Sequence, residues 1–177
     1  MPQVTWSIFA SNTFFSVGQQ MQSFELWSST AIRNPKVEVR YSDAALRQDL
    51  QRIRTLWDQS QGNRQRDTIY GYLGAVYALV TWWAADAREN DRSRRALRLL
   101  QLEPSDREDP FAAVIRCTAD PVKADKRTRS KWSRVMRYAA AYKLDSEPLQ
   151  QFVKRKGGIN TCVARFSRRL GRRSLHQ

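Results

Sequence analysis

Hydrophobic residues recur at helical spacing along most of the chain from residue 42 onward. In the stretch 42–58 the apolar positions are three or four residues apart, at Leu46, Leu50, Ile53 and Trp57. This spacing places the side chains on one face of an α-helix. The stretch therefore predicts an amphipathic helix, with the Ser42 hydroxyl as its N-cap.

The segment 69–85 differs, because it contains 17 residues without a single charge. A membrane-spanning helix needs about 20 apolar residues, and this segment is shorter and interrupted by glycines and tyrosines. We therefore interpret it as the buried central helix of a small α-domain. Its Trp82–Trp83 pair is expected to supply much of the core.

Two shorter helices follow the central one. The first ends before Pro104, and the second begins with Asp109 as N-cap and Pro110 at its first position. With the helix at 42–58 and the central helix they predict a helical bundle over residues 42–120. Residues 1–41 form a poorly defined N-terminal segment, in which 35–41 alternates like a short strand.

The composition changes after residue 120. Residues 121–129 are charged and poor in apolar side chains, and predict a linker. Residues 130–177 contain three amphipathic stretches, the first capped by Ser130 and the last capped by Asn160 or Thr161 and ended by Gly171. The sequence thus predicts an all-α fold, a helical bundle followed by a small basic three-helix module of helix-turn-helix-like form.

Charge is distributed unevenly between the two predicted parts. The chain has a formal net charge of +14. Residues 121–177 hold 16 Lys and Arg against 3 acids, a net charge of +13, whereas residues 1–120 hold 15 against 14, a net charge of +1. Such asymmetry is typical of a segment that binds a polyanion, with nucleic acid the first candidate.

The segment 152–173 has apolar residues on both sides of a double glycine. Val153 precedes Gly157 by four residues, and Val163 and Phe166 follow it by six and nine. Over about 20 residues this spacing resembles that of the helix-turn-helix superfamily, with Val153 where the superfamily favours a smaller residue. The resemblance implies a second helix at about 160–170 that enters the DNA major groove.

The resemblance also implies which side chains meet DNA. The predicted base contacts are Asn160, Thr161, Arg165 and Arg168. The predicted phosphate contacts are Lys131, Arg134, Lys154, Arg155, Lys156, Arg169, Arg172 and Arg173. Base contacts carry sequence information, whereas phosphate contacts position the protein. On this interpretation the protein is a helix-turn-helix regulator or an accessory protein of a replicon or mobile element, and it binds DNA in preference to RNA.

Three alternatives stay open at the sequence level. In the first, the basic surface is the solvated face of an ordinary αα-hairpin. In the second, the protein binds RNA without reading its sequence and stacks bases on Trp132 and Tyr138. Otherwise the protein is an interaction adaptor with an apolar patch on 69–85. A homodimer is one expected partner arrangement. No membrane partner is expected, because Trp132, Met136 and Tyr142 are better explained as core residues than as a membrane-binding face.

Enzymatic chemistry is not predicted. The one histidine, His176, is the penultimate residue, and the chain lacks a glycine-rich phosphate loop and any metal-ligand signature. We therefore expect no catalytic residue, no metal and no cofactor. Cys117 and Cys162 are expected to be reduced and buried, and the absence of a recognisable secretory signal predicts a cytoplasmic protein.

Overall fold

Seven α-helices make up the part of the chain that the structure describes. The computed structural model describes residues 41–62, 67–105 and 108–174, with side chains up to Arg169, and contains no β-strand in those ranges. The helices are α1 (Asp43–Gly62), α2 (Thr68–Ala85), α3 (Glu89–Leu99), α4 (Pro110–Thr118), α5 (Lys126–Tyr142), α6 (Leu149–Arg155) and α7 (Ile159–Ser174). The predicted all-α fold is confirmed. The predicted strand at 35–41 lies outside the described residues except for Tyr41.

Side-chain caps explain where several helices begin. The Ser42 hydroxyl accepts a hydrogen bond from the Ala45 amide at 3.1 Å, as predicted. The Asp109 carboxylate accepts from the amides of Phe111 at 3.1 Å and Ala112 at 3.2 Å, with Pro110 at the first helical position, also as predicted. These contacts satisfy amide groups that a helix N-terminus otherwise leaves without a partner.

Helix α5 begins earlier than the sequence pattern indicated. The Asp125 carboxylate accepts a hydrogen bond from the Thr128 amide at 2.7 Å, so the helix starts at Lys126 and the predicted cap at Ser130 is wrong. Hydrogen bonding from Thr128, by its side chain first and its amide second, lowers the pKa of Asp125. Within the predicted linker 121–129, Ala124 is also buried in the core.

Helix α2 lies at the centre of the described helices and contacts most of the others, as predicted for the uncharged segment. Its buried side chains include Tyr72, Leu73, Val76, Leu79 and Trp83. Trp82, by contrast, is 42% exposed. In the described ranges no helix combines the length and the apolar character that a membrane span requires.

Three aromatic rings join the basic end of the chain to the rest of the core. The ring centroids of Trp57 on α1, Tyr72 on α2 and Trp132 on α5 are 5.2, 5.8 and 6.1 Å apart, all in edge-to-face arrangements. Each such pair contributes roughly 0.5–1.5 kcal/mol beyond area burial. Helix α5 therefore packs into the same hydrophobic core as α1 and α2, and the residues from Tyr41 onward form one compact unit.

Buried hydroxyl groups add directional contacts to this core. The Thr118 hydroxyl donates to the Val114 carbonyl at 2.8 Å, so the Tyr72 hydroxyl, 2.9 Å from Thr118 Oγ1, is the donor to Thr118. The Ser133 hydroxyl of α5 donates to the Asp109 carboxylate that caps α4. These bonds fix α4 against α2 and α5, which matters because α5 carries much of the positive charge.

Candidate nucleic-acid interface

The turn between α6 and α7 depends on two glycines. Gly157 and Gly158 have φ values of +92° and +91°, in the region that side chains disfavour. The Gly158 amide donates to the Val153 carbonyl at 2.8 Å, and the Gly157 amide donates to the Lys154 carbonyl at 3.0 Å. This pair of bonds is a Schellman motif, which ends α6 and allows α7 to begin one residue after Gly158.

Replacing Gly157 by alanine should destabilise the protein. A Cβ there would lie 3.2 Å from Thr161 Oγ1 and would force a side chain into a positive-φ conformation. We expect the free energy of unfolding to fall by about 1–2 kcal/mol. Urea denaturation followed by circular dichroism measures the change.

Gly71→Ala is the matched control, because Gly71 lies in α2 and a Cβ there meets no atom within 4 Å. Alanine should stabilise that helix by about 0.5–1 kcal/mol. Equal effects of the two substitutions would contradict the role assigned to the turn.

The start of α7 differs from the prediction. The helix begins at Ile159, so Asn160 and Thr161 are its second and third residues and neither is the N-cap. The Thr161 hydroxyl instead donates back to the Gly157 carbonyl at 2.8 Å. The predicted end at Gly171 is also wrong, because α7 continues to Ser174. A single glycine weakens a helix but does not end it.

Cys162 is the residue by which α7 is anchored in the core. It is fully buried, whereas the predicted inward residues Val163 and Phe166 are only partly buried. Burial raises the pKa of the Cys162 thiol, although Arg165 and Lys156 oppose this effect. Burial also raises the pKa of the Cys117 thiol to about 12. Both cysteines are free and buried, as predicted, and both are poor nucleophiles.

The opposite face of α7 carries three of the predicted base contacts. Thr161, Arg165 and Arg168 are separated by four and three residues, so they share one side of the helix. We name this set the α7 face. Both arginines are exposed, and neither pairs with an acid among the described residues. Arg168 Nε donates to the Ala164 carbonyl at 3.4 Å, which holds the side chain along the helix.

Helix α5 lies beside α7 and runs in the same direction. Near the start of both helices, Lys131 Nζ donates to Asn160 Oδ1 at 3.5 Å. In their middle, the Arg137 guanidinium lies 4.9 Å from the centre of the Phe166 ring. Further along, the Arg169 guanidinium lies 4.2 Å from the centre of the Tyr142 ring. The order of these three contacts is the same on the two helices, so the helices form one joint surface.

This joint surface contains no carboxylate of its own. The 17 residues of α5 and the 16 residues of α7 include neither Asp nor Glu. The nearest acid in sequence, Asp125, caps α5. The positive charges of the two helices therefore lie close together without internal neutralisation, which raises the electrostatic potential over the surface.

The predicted phosphate contacts at Lys154, Arg155 and Lys156 differ from the arginines of the α7 face, because most of them already have partners. Lys154 Nζ lies 2.6 Å from Asp67 Oδ2, and Arg155 forms a two-bond pair with Glu147 at 2.8 and 2.7 Å. Hydrogen bonding to Arg155 lowers the pKa of Glu147. Lys156 Nζ lies 5.8 Å from the centre of the Phe152 ring. Both cations within α6 are thus already paired with carboxylates, and Lys156 follows as the C-cap of the helix.

The other predicted phosphate contacts lie on α5 and on α7. Arg134 and Arg169 are exposed, and Arg169 also covers the Tyr142 ring. The backbone of Arg172 and Arg173 continues α7, and their side chains lie outside the described part of the structure. The structure therefore brings together Lys131, Asn160 and the α7 face, and leaves Lys154 and Arg155 engaged elsewhere.

Comparison with known proteins finds no match among family models, curated proteins or solved structures.

Burial bears on the alternatives raised by the sequence. Trp132 and Tyr138, the predicted stacking groups of a single-strand RNA binder, are only 8% and 7% exposed. Within 69–85, the segment that an adaptor would use, Trp82 is the one exposed large hydrophobic residue. Tyr41 packs against the edge of Trp82, and the Arg92 guanidinium lies 5.0 Å from the centre of each ring. These residues therefore provide neither exposed rings for stacking RNA bases nor a large apolar patch for an adaptor.

Proposed function

We propose that the protein binds nucleic acid, DNA in preference to RNA, through the joint surface of α5 and α7. One observation carries the proposal: two adjacent helices present exposed Lys and Arg side chains and contain no carboxylate. A surface of this kind attracts a phosphate backbone over several ångströms and releases the counterions that the backbone has condensed.

The α7 face is the part suited to contacts with base edges. Arginine pairs bidentately with guanine, and a hydroxyl such as that of Thr161 contacts several bases. Asparagine side chains can pair with adenine. Asn160 contacts Lys131 at the edge of this face. Phosphate contacts then come from Lys131, Arg134 and Arg169 around it.

We further propose a helix-turn-helix type of regulator, or an accessory protein of a replicon or mobile element, acting in the cytoplasm without enzymatic activity. A homodimer of such a protein would read two half-sites about one helical turn of DNA apart. The glycine turn between α6 and α7 and the exposed arginines of α7 support this form of the proposal.

The salt dependence of binding tests the proposal. With about six phosphates neutralised on a duplex, the logarithm of the association constant should fall with the logarithm of salt concentration at a slope of roughly −5. Between about 50 and 200 mM salt the affinity should then fall by about 10³-fold. Fluorescence anisotropy with a labelled duplex of random sequence measures both quantities.

A slope near zero, or no binding at the lower salt concentration, would contradict the proposal. The basic surface would then be a solvated face, and Trp82 with its neighbours would become the place to search for a protein partner.

A further inference from the structure

Helix α5 carries a row of cations next to the beginning of α7. Arg127, Lys131 and Arg134 are separated by four and three residues, so they share one side of α5. We name this set the α5 row. Lys131 places the row beside α7 through its contact with Asn160. Arg127 and Arg134 are exposed, and neither forms a salt bridge in the described ranges, although the charges of Arg127 and Lys131 help to lower the pKa of the nearby Asp125 carboxyl.

The separation between packed helices decides what the α5 row can reach. The axes of packed helices are about 8–10 Å apart, and the major groove of B-DNA is about 12 Å wide. When α7 lies in the groove, α5 therefore lies over the backbone at one edge of it. From Arg127 to Arg134 the helix rises about 10 Å, the length of about three base pairs along one strand.

The joint surface is poorly suited to a single strand. Proteins that bind single-stranded nucleic acid stack bases on exposed aromatic rings. On α5 and α7, Trp132 and Tyr138 are buried, Arg137 covers Phe166 and Arg169 covers Tyr142. Among the described side chains of these two helices Tyr142 is the one exposed ring, at 37%, and Arg169 lies over one of its faces, so the surface offers no row of open rings for successive bases.

We propose that the α5 row binds the phosphate backbone of one strand while α7 occupies the major groove, so that the surface selects double-stranded over single-stranded DNA. The inference rests on the proposed DNA-binding function. It adds that the DNA is double-stranded and that the α5 row contacts the backbone of one strand. It also brings Arg127 into the binding site. An RNA duplex is disfavoured, because the major groove of A-form helices is too deep and narrow for α7.

The test compares the double variant Arg127→Ala/Arg134→Ala with Arg47→Ala/Arg54→Ala. Both remove two exposed arginines seven residues apart on one helix, α5 in the first case and α1 in the second. Lys131 is kept, so the contact with Asn160 is preserved. Anisotropy titrations use a labelled DNA duplex of about 20 base pairs, one of its strands alone and an RNA duplex of the same sequence. Thermal unfolding by circular dichroism checks that each variant is folded.

We expect the wild type to bind the duplex about tenfold or more tightly than the single strand at matched salt. The α5 variant should lose about two units of salt slope on the duplex and change little on the single strand, whereas the α1 variant should change little on either.

Equal affinity of the wild type for duplex and single strand, or for DNA and RNA duplexes, would overturn the inference and leave nucleic-acid binding intact. So would an unchanged duplex affinity in the folded α5 variant. No binding of the wild type to any probe would overturn the proposed function itself.

Discussion

The double substitution Arg165→Ala/Arg168→Ala should lower the affinity for duplex DNA by roughly 30-fold or more, since each good arginine–base contact contributes about 1–3 kcal/mol. Both side chains are exposed on α7 and make no ion pair within the described residues, so their removal should leave the stability nearly unchanged. The loss should therefore come from the interface and not from unfolding. Anisotropy titration at fixed salt concentration, with circular dichroism as a check on folding, measures it.

The double variant Lys154→Ala/Arg155→Ala is the matched control. It removes the same number of cations from the helix before the turn. There the lysine is paired with Asp67 and the arginine with Glu147. Because existing partners already neutralise these charges, we expect an affinity loss of only about threefold. If the α6 variant loses as much affinity as the α7 variant, the binding is a response to total charge, and the assignment of the α7 face fails.

Much of the helical structure follows from local signals in the sequence. The helix after Ser42, the central helix and the helix after Asp109 were predicted because each combines a hydrophobic period with a recognisable cap or a long uncharged run. Helix α5 was misplaced at its start because "KADKRTRS" has no apolar period. The Asp125 cap was the only local signal, and capping residues are common in loops.

The site was harder to predict than the fold. Periodicity placed Arg165 and Arg168 outward, but it could not show that Lys154 and Arg155 find acids on other parts of the chain, 87 and 8 residues away in sequence. The alternative of an RNA-binding protein made Trp132 and Tyr138 candidates for stacking, although their side of α5 packs into the core. Such outcomes depend on which helices become neighbours, and single-helix patterns do not contain that information.

Trp132→Ala should produce the largest loss of stability, about 3–5 kcal/mol, because a nearly buried indole is removed and a cavity remains. Trp132 is 8% exposed, and its ring meets the edges of both Trp57 and Tyr72. The substitution therefore removes the aromatic contacts that join α5 to α1 and α2. Since total stability is typically about 5–15 kcal/mol, a shift of this size should be plain in urea denaturation monitored by far-UV circular dichroism.

The control for this substitution is Trp82→Ala, which removes the same side chain from α2 at a position that is 42% exposed. This substitution removes the contacts of the Trp82 ring with Tyr41 and with the Arg92 guanidinium, but it leaves a smaller cavity than Trp132→Ala does. We therefore expect the free energy of unfolding to fall by about 1–2 kcal/mol. A loss below about 1 kcal/mol for Trp132→Ala would mean that α5 is held mainly by other contacts. The outcome also bears on function, because α5 carries Trp132 on its inner side and the α5 row next to α7. If the core contact positions that row, Trp132→Ala should weaken duplex binding even under conditions where the variant remains folded.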